Sequence, residues 1–284
     1  IIIPSVGTEF LHNASLIHDD IIDKDLFRRG KPAFHYRYRT YHEKYNLKKM
    51  DAIDFGNSVG IIGGDTVFIL GLEAYFFNNF DRDLNLQAIS YYEQAFINII
   101  DGVLIETDMV NQTDLTLSDY IAMISLKTGA LIEKSILIGA NYAKVDNHYK
   151  NHLSTYGINL GIIFQIIDDI LGSFGNEKLT GKPTDGDIRE NKLTALKLTA
   201  LNVLPNSKKS HLIKLLENPN MTHDEVQEVK DLYIEANVEN LCREMVEKYV
   251  KEAKNSLKKL DSVITQSEAE FFEDLLTFVA ERKF

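Results

Sequence analysis

Apolar residues recur along this chain at intervals of three and four positions almost throughout, and the alternation of a half-buried strand is scarce. The pattern predicts an all-α protein. A first long helix is expected from about Gly7 to Asp25, followed by a basic loop through Lys31 and Pro32. Residues 36 to 52, with Tyr36, Tyr38, Tyr41 and Tyr45 set among Arg and Lys, read as a short helix or connection. A buried helix is expected from about Phe55 to Asn78. Its glycines, Gly56, Gly60, Gly63, Gly64 and Gly71, cost helix propensity and imply close approach by neighbouring helices. Asp83 to Thr107 gives another amphipathic helix and Asn111 to Leu117 a polar turn, after which Ser118 is placed to cap the helix through Lys127. A strongly apolar helix covers residues 148 to 171, and a Gly/Pro/charged loop from Gly181 re-enters helix near Thr194. From 207 onward the helices are amphipathic, with Glu and Lys at helical spacing over 222 to 260 forming a solvated face. With no Gly/Ser linker and no fixed-period repeat, one helical domain over residues 1 to 284 is the expected organisation.

Composition narrows the class. At 284 residues and 44% hydrophobic the chain has ample material for a core. A formal charge of -11 argues against a broad nucleic-acid surface. The single cysteine, Cys242, excludes an intrachain disulfide framework, suits a reducing cytoplasm and reads as a small apolar helix residue. No uninterrupted apolar run approaches the length needed to cross a bilayer, and no membrane span is expected. The chain opens on Ile1-Ile2-Ile3-Pro4 with no initiator Met, so a native N-terminal portion is expected to be missing.

The candidate chemistry is concentrated in Leu16-Ile17-His18-Asp19-Asp20-Ile21-Ile22-Asp23 and the basic Arg28-Arg29-Gly30-Lys31-Pro32 that follows. Asp19 and Asp23, four residues apart, share one helix face with Asp20 beside them. Paired carboxylates suit a hard ion such as Mg²⁺, which takes one or two of them together with waters and substrate phosphates. The arginine forks match phosphate oxygens. A second acid pair, Asp168-Asp169, also ends an apolar helical run and is also followed by basic residues, Lys182 and Lys192. Two such helices facing each other would hold several Mg²⁺ ions against a diphosphate, above an oily pocket for a hydrocarbon tail. Lys127, inside the apolar Ser125-Leu126-Lys127-Thr128-Gly129-Ala130, reads by itself as a snorkelling lysine.

The stretches LIHDDIIDKDLFRRGKP, SLKTGA, FQIIDDILG and GKPTDGDIRENKLTA resemble the signature blocks of trans-isoprenyl diphosphate synthases, in that family's order and spacing over about residues 7 to 200. The resemblance implies a bundle of mostly antiparallel helices around a central cavity, usually a homodimer. It implies Mg²⁺-dependent condensation of isopentenyl diphosphate with an allylic diphosphate, with three ions bridging the diphosphate. By position, Asp19, Asp23 and Asp168 match metal-binding aspartates, supported by Asp20 and Asp169. Arg28, Lys127, Thr128, Gln165 and Lys182 match contacts to the allylic diphosphate, Lys192 a further closing lysine, and His12 and Arg29 the isopentenyl diphosphate site. The family's Gly-Gly-Lys-Arg-like motif is not found here.

Gly172 stands where many members carry a third Asp, a form that resembles archaeal-type geranylgeranyl diphosphate synthases. Ala14 and Ser15, the fifth and fourth residues before Asp19, are small where fifteen-carbon synthases place aromatic rings, and both are expected to point into the tail pocket, so the tail should meet the next turn near Leu11 and Thr8, or residues of the Phe55 to Asn78 helix. A twenty-carbon product is favoured, with longer chains as the alternative, and Ala14→Phe would shorten it. Three rivals remain in view. A terpene cyclase would not need the paired arginines, a di-iron bundle has only Glu9-x-x-His12 to support it, and a regulatory subunit would tend to lose an Asp motif.

Overall fold

The computed structural model describes residues 1–175 and 184–283. They fall into two compact units, Ile1–Phe96 with Leu137–Lys144, and Ile97–Ile136 with Val145–Phe284. Among these residues helix dominates as the pattern requires, and the strands are two pieces of two residues each.

In the first unit α1 (Ile2–Ile22) starts before the expected Gly7. Pro4 sits in its first turn, where a missing N–H forfeits no intrahelical bond. The helix stops short of Asp25 because Lys24 takes a left-handed φ of 59°. The expected basic loop is a hairpin, β1 (Phe27–Arg28) against β2 (Lys31–Pro32), closed by Arg29 and Gly30 at φ 52° and 70°. Two consecutive positive φ values suit a tight two-residue hairpin turn. Strands this short carry no readable alternation.

α2 (Phe34–Lys44) leads to α3 (Ala52–Phe76), whose N-cap Asp51 accepts from the N–H of Ile53 at 2.8 Å. The α3 glycines admit the close approach expected of them. A Cβ at Gly56 would lie 2.6 Å from the His35 carbonyl oxygen of α2, and one at Gly60 2.5 Å from Ile21 Cδ1 of α1. The expectation of a buried helix is corrected, however. Its buried positions are Gly56, Gly60, Gly64, Gly71 and Tyr75, while Ile61, Ile62 and Phe76 are 51%, 65% and 63% exposed. The glycine row faces α1 and α2, which turns the branched side chains outward. In the first half of α4 (Arg82–Met109), Tyr92 is buried and donates to the Phe68 carbonyl at 2.7 Å. Asn141 and Tyr142 tie the 137–144 stretch to Leu84 and Asn85.

The second unit is built on α7 (Asn147–Phe174), which packs against α12 (Val238–Leu257). Before it come α5 (Leu117–Ile124), a π-helical segment (Ser125–Gly129) and the start of α6 (Ala130–Tyr142). After it come α8 (Gly186–Arg189), α9 (Ala195–Val203), α10 (Asn206–Leu216), α11 (His223–Glu235) and, beyond α12, α13 (Gln266–Ala280). Thr116, not Ser118, caps α5. Its hydroxyl receives the N–H of Asp119 and the Asp119 carboxylate receives the N–H of Thr116, and this reciprocal pair satisfies two otherwise orphaned donors. Helix resumes near Thr194 as expected, with Thr194 itself the N-cap of α9, and Cys242 is buried on α12.

One sequence expectation about membranes is also corrected. By length and composition α3 and α7 are long and apolar enough to cross a bilayer. An uninterrupted run is too strict a measure, since isolated acids such as Asp65 and Asp168 interrupt stretches that are apolar on average. In α7 61% of the apolar window is buried, the signature of a core helix; in α3 only 22% is.

Candidate active site

The first acid cluster lies at the C-terminal end of α1, where the N–H of Asp23 bonds the Asp19 carbonyl at 2.8 Å. Its acids are not equivalent. Asp20 is 3% exposed and accepts from Arg28 Nε at 2.6 Å, whereas the Asp19 side chain is 25% exposed and accepts from Arg28 Nη2 at 3.2 Å. Burial raises the Asp20 carboxyl above its ordinary value, against the pull of the Arg28 charge. Asp20 therefore anchors the hairpin arginine, Asp19 shares that arginine from a more exposed position, and Asp23 is half-buried at the end of the helix. Arg29 is exposed on the hairpin turn, beside a cavity of ≈ 200 Å³ lined by Asn13, Ile17, Asp20, Arg28 and Phe34.

His12 lies 3.7 Å from Glu9. Among the described residues no three His, Cys, Asp or Glu side chains gather into a metal cage. Mg²⁺ does not need one, because waters and phosphate oxygens complete its octahedron around one or two carboxylates. The donor set fits that ion.

The three chain-length candidates separate. Leu11 and Ala14 are 0% and 1% exposed, on the buried stripe with Pro4 and Gly7 that packs on α3. Ser15 is half-buried on the flank, its hydroxyl donating to the His12 carbonyl at 2.8 Å. The expectation that Ala14 and Ser15 share one direction is thus corrected, since adjacent helix positions diverge by about 100°.

The second cluster, at the end of α7 in the second unit, repeats the division. The Asp168 side chain is 58% exposed and accepts from Arg282 Nη2 at 2.8 Å, while Asp169 is 4% exposed and accepts from Tyr120, Gln165 and the N–H of Ala195. The Arg282 guanidinium lies over the Phe164 ring, 4.3 Å from its centroid. A metal ion held by Asp168, as the sequence leads one to expect, would compete with this guanidinium for the same oxygen, and Arg282→Gln should then raise Mg²⁺ affinity several-fold by calorimetry. Burial pushes the Asp169 carboxyl up to about 7, in spite of its three donors. An acid raised on folding favours the folded state below its unfolded pKa. The stability of the wild type relative to Asp169→Asn is therefore expected to fall as pH rises from about 4 to about 7 and to be level above, in urea melts across that range.

Lys127 and Thr128 belong to the π segment, a geometry that recurs at functional sites. Lys127 Nζ donates to Glu106 Oε2 at 2.6 Å, and Thr128 Oγ1 donates to Gln165 Oε1 at 3.0 Å. The snorkelling alternative is set aside, since the ammonium ends on a carboxylate. Two glycines seat the segment. A Cβ at Gly102 would lie 2.7 Å from Lys127 Cα, and one at Gly161 would strike Gly129 Cα and come 2.9 Å from its nitrogen. Lys192 pairs with Glu190 at 3.2 Å and lies 3.9 Å from Asp187. Lys182 lies outside the described residues.

The absent third Asp has a packing reason. A Cβ on Gly172 would come 2.5 Å from Asp187 Oδ2, so the Asp187 carboxylate already occupies that place. Sequence reasoning missed Tyr120, Glu106 and Arg282. Each is far along the chain from its partner and sits in no motif, so no local signal could have singled it out.

A family model described as polyprenyl synthetase matches residues 2–233. A short chain isoprenyl diphosphate synthase of Methanocaldococcus jannaschii is 32% identical over 80% of this chain and 64% of its own length. A geranylgeranyl diphosphate synthase of Sulfolobus acidocaldarius is 32% identical over 89% of this chain and 72% of its own length. The chain thus spans less than two thirds of the first of these relatives. The solved geranylgeranyl pyrophosphate synthase of Corynebacterium glutamicum, complexed with isoprenyl diphosphate and magnesium, superposes with a TM-score of 0.90 at 24% identity, covering 99% of this chain and 78% of that one. It shares the fold.

Proposed function

We propose, from the premise that this chain belongs to the polyprenyl synthetase family, that it is a trans-prenyl diphosphate synthase joining isopentenyl diphosphate to an allylic diphosphate. The observation that carries this reading is the division of labour repeated in both acid pairs. In each, the first Asp, Asp19 or Asp168, is the more open and the second, Asp20 or Asp169, is buried and bonded. A merely solvated acidic face would not pair its members so.

When bound, Mg²⁺ supplies the positive charge that stabilises departing pyrophosphate. Asp19, Asp23 and Asp168 would hold it, as three ions in the family's manner. Arg28, Lys127, Lys182 and Lys192 bring positive charge to the allylic diphosphate, and His12 and Arg29 serve isopentenyl diphosphate. No side chain acts as nucleophile. The uncovered apolar side of α3 is a surface that a second copy would cover, and the reading is a cytoplasmic homodimer with no membrane span. Incubation with isopentenyl diphosphate, each allylic primer and Mg²⁺, followed by product sizing, tests the reading; no pyrophosphate release with any primer would reject it.

For chain length the reading is a twenty-carbon product, with longer chains as the alternative because Ala14 and Ser15 are both small. Ala14 is packed solid, so a ring there would overpack the α1–α3 contact. Ser15→Phe is the better probe. It is expected to shift the main product to a shorter chain in an enzyme that still melts near the wild-type temperature, read by chromatography of the dephosphorylated products.

A further inference from the structure

Three polar neighbours of Asp169 each present a hydrogen to its carboxyl oxygens. Oδ2 receives the Tyr120 hydroxyl at 2.6 Å and the Ala195 N–H at 2.8 Å. Oδ1 receives Gln165 Nε2 at 3.1 Å. The last contact fixes more than a distance. A glutamine amide has two nearly isosteric orientations, and here its nitrogen faces Asp169 Oδ1. Gln165 Oε1 is thereby turned the other way, where it receives the hydroxyl proton of Thr128 at 3.0 Å. A hydrogen-bond chain of one direction runs from half-buried Thr128, beside Lys127 in the π segment, through Gln165 to a carboxylate that is 4% exposed.

The two bonds to Oδ2 are enough to tie α5 and the start of α9 to α7. The Gln165 arm adds nothing to that tie. Its effect is to dictate which way the Thr128 hydroxyl points. We propose that Asp169 is a positioning residue that acts through Gln165 to set the Thr128 hydroxyl beside Lys127, and that it is not a metal ligand. The inference rests on the prenyl-transfer reading of the site and deepens it, because it separates Asp168 from its neighbour by role.

Asp169→Asn keeps the shape but presents amide hydrogens, which lets the Gln165 amide reverse and the Thr128 hydroxyl with it. Losing one fixed hydrogen bond corresponds to roughly a tenfold drop in kcat. The expected result is that drop with an unchanged KM for isopentenyl diphosphate and an unchanged Mg²⁺ affinity by calorimetry, whereas Asp168→Asn loses Mg²⁺ affinity. In a Thr128→Val background, Asp169→Asn is expected to cost little more, since the hydroxyl it orients is gone. Multiplicative losses in that cycle, or a fall in Mg²⁺ affinity matching that of Asp168→Asn, would overturn the proposal. Should Asp169→Asn not fold, Gln165→Leu decides. It should lower kcat with the melting temperature and the KM for isopentenyl diphosphate held, and cost little more in a Thr128→Val background; an unchanged kcat or multiplicative losses would overturn the proposal. A wild type that makes no prenyl product overturns the functional reading itself, whereas an active wild type with a multiplicative cycle overturns only this inference.

Discussion

Asp19→Ala is expected to turn over on the order of 100-fold more slowly than wild type, or worse, and to melt close to the wild-type temperature. Both halves follow from how α1 ends. Asp19 is the more open member of its pair and, in the proposed function, holds the ion that draws off pyrophosphate. Removing it leaves Arg28 Nε on Asp20 at 2.6 Å, so the hairpin stays anchored. Asp20→Asn should behave in the opposite order. It disturbs a buried carboxylate and its guanidinium first, and lost activity accompanies lost stability. Steady-state rates and calorimetric melts of the two variants side by side check the assignment. An Asp19→Ala enzyme of near-wild-type rate would mean that the reacting diphosphate does not depend on this carboxylate.

Gly161→Val is expected to destabilise the protein by about 3 kcal/mol, at the upper end of ordinary overpacking. The reason is the identity of the atoms a side chain would meet. They are Gly129 Cα and N, backbone atoms of the π segment, which have no rotamer to give. Relief must come from moving α7 or the segment bearing Lys127 and Thr128, so kcat should fall along with stability. For a chain of this size the loss corresponds to a melting temperature lower by roughly 6–12 °C. Gly139→Ala is the control. Nothing lies within 4 Å of its added Cβ on α6, and relief of helix entropy should stabilise by up to about 1 kcal/mol. Equal melting of Gly161→Val and wild type would show that the contact can open at little cost.

The all-α class was legible because helical spacing of apolar residues persists over whole segments and needs no knowledge of partners. The same holds for the acid pairs and basic sequels, whose chemistry is local: Asp19 and Asp23 share a face at any packing of α1. The α3 glycines announced close approach for the same reason, since a missing Cβ is a property of the residue. What covers a helix is another matter. The apolar composition of α3 is equally consistent with burial and exposure, and only the position of α1 and α2 along the glycine row left Ile61 and Ile62 outside.

Tertiary structure alone decided how adjacent, chemically identical residues divide their work. Asp168 and Asp169 cannot be told apart by composition or periodicity. A helix turns about 100° per residue, so one of them meets Tyr120 and Ala195, brought in from 49 and 26 residues away, while the other meets Arg282 near the end of the chain. Gly172 likewise looked like a missing carboxylate until the short helix α8 laid Asp187 against it. The sequence by itself determined which side chains carry charge and where each helix has a face. Which charge is buried, and so which acid anchors and which is the more exposed, was set by contacts between segments whose separation along the chain leaves no trace in local pattern.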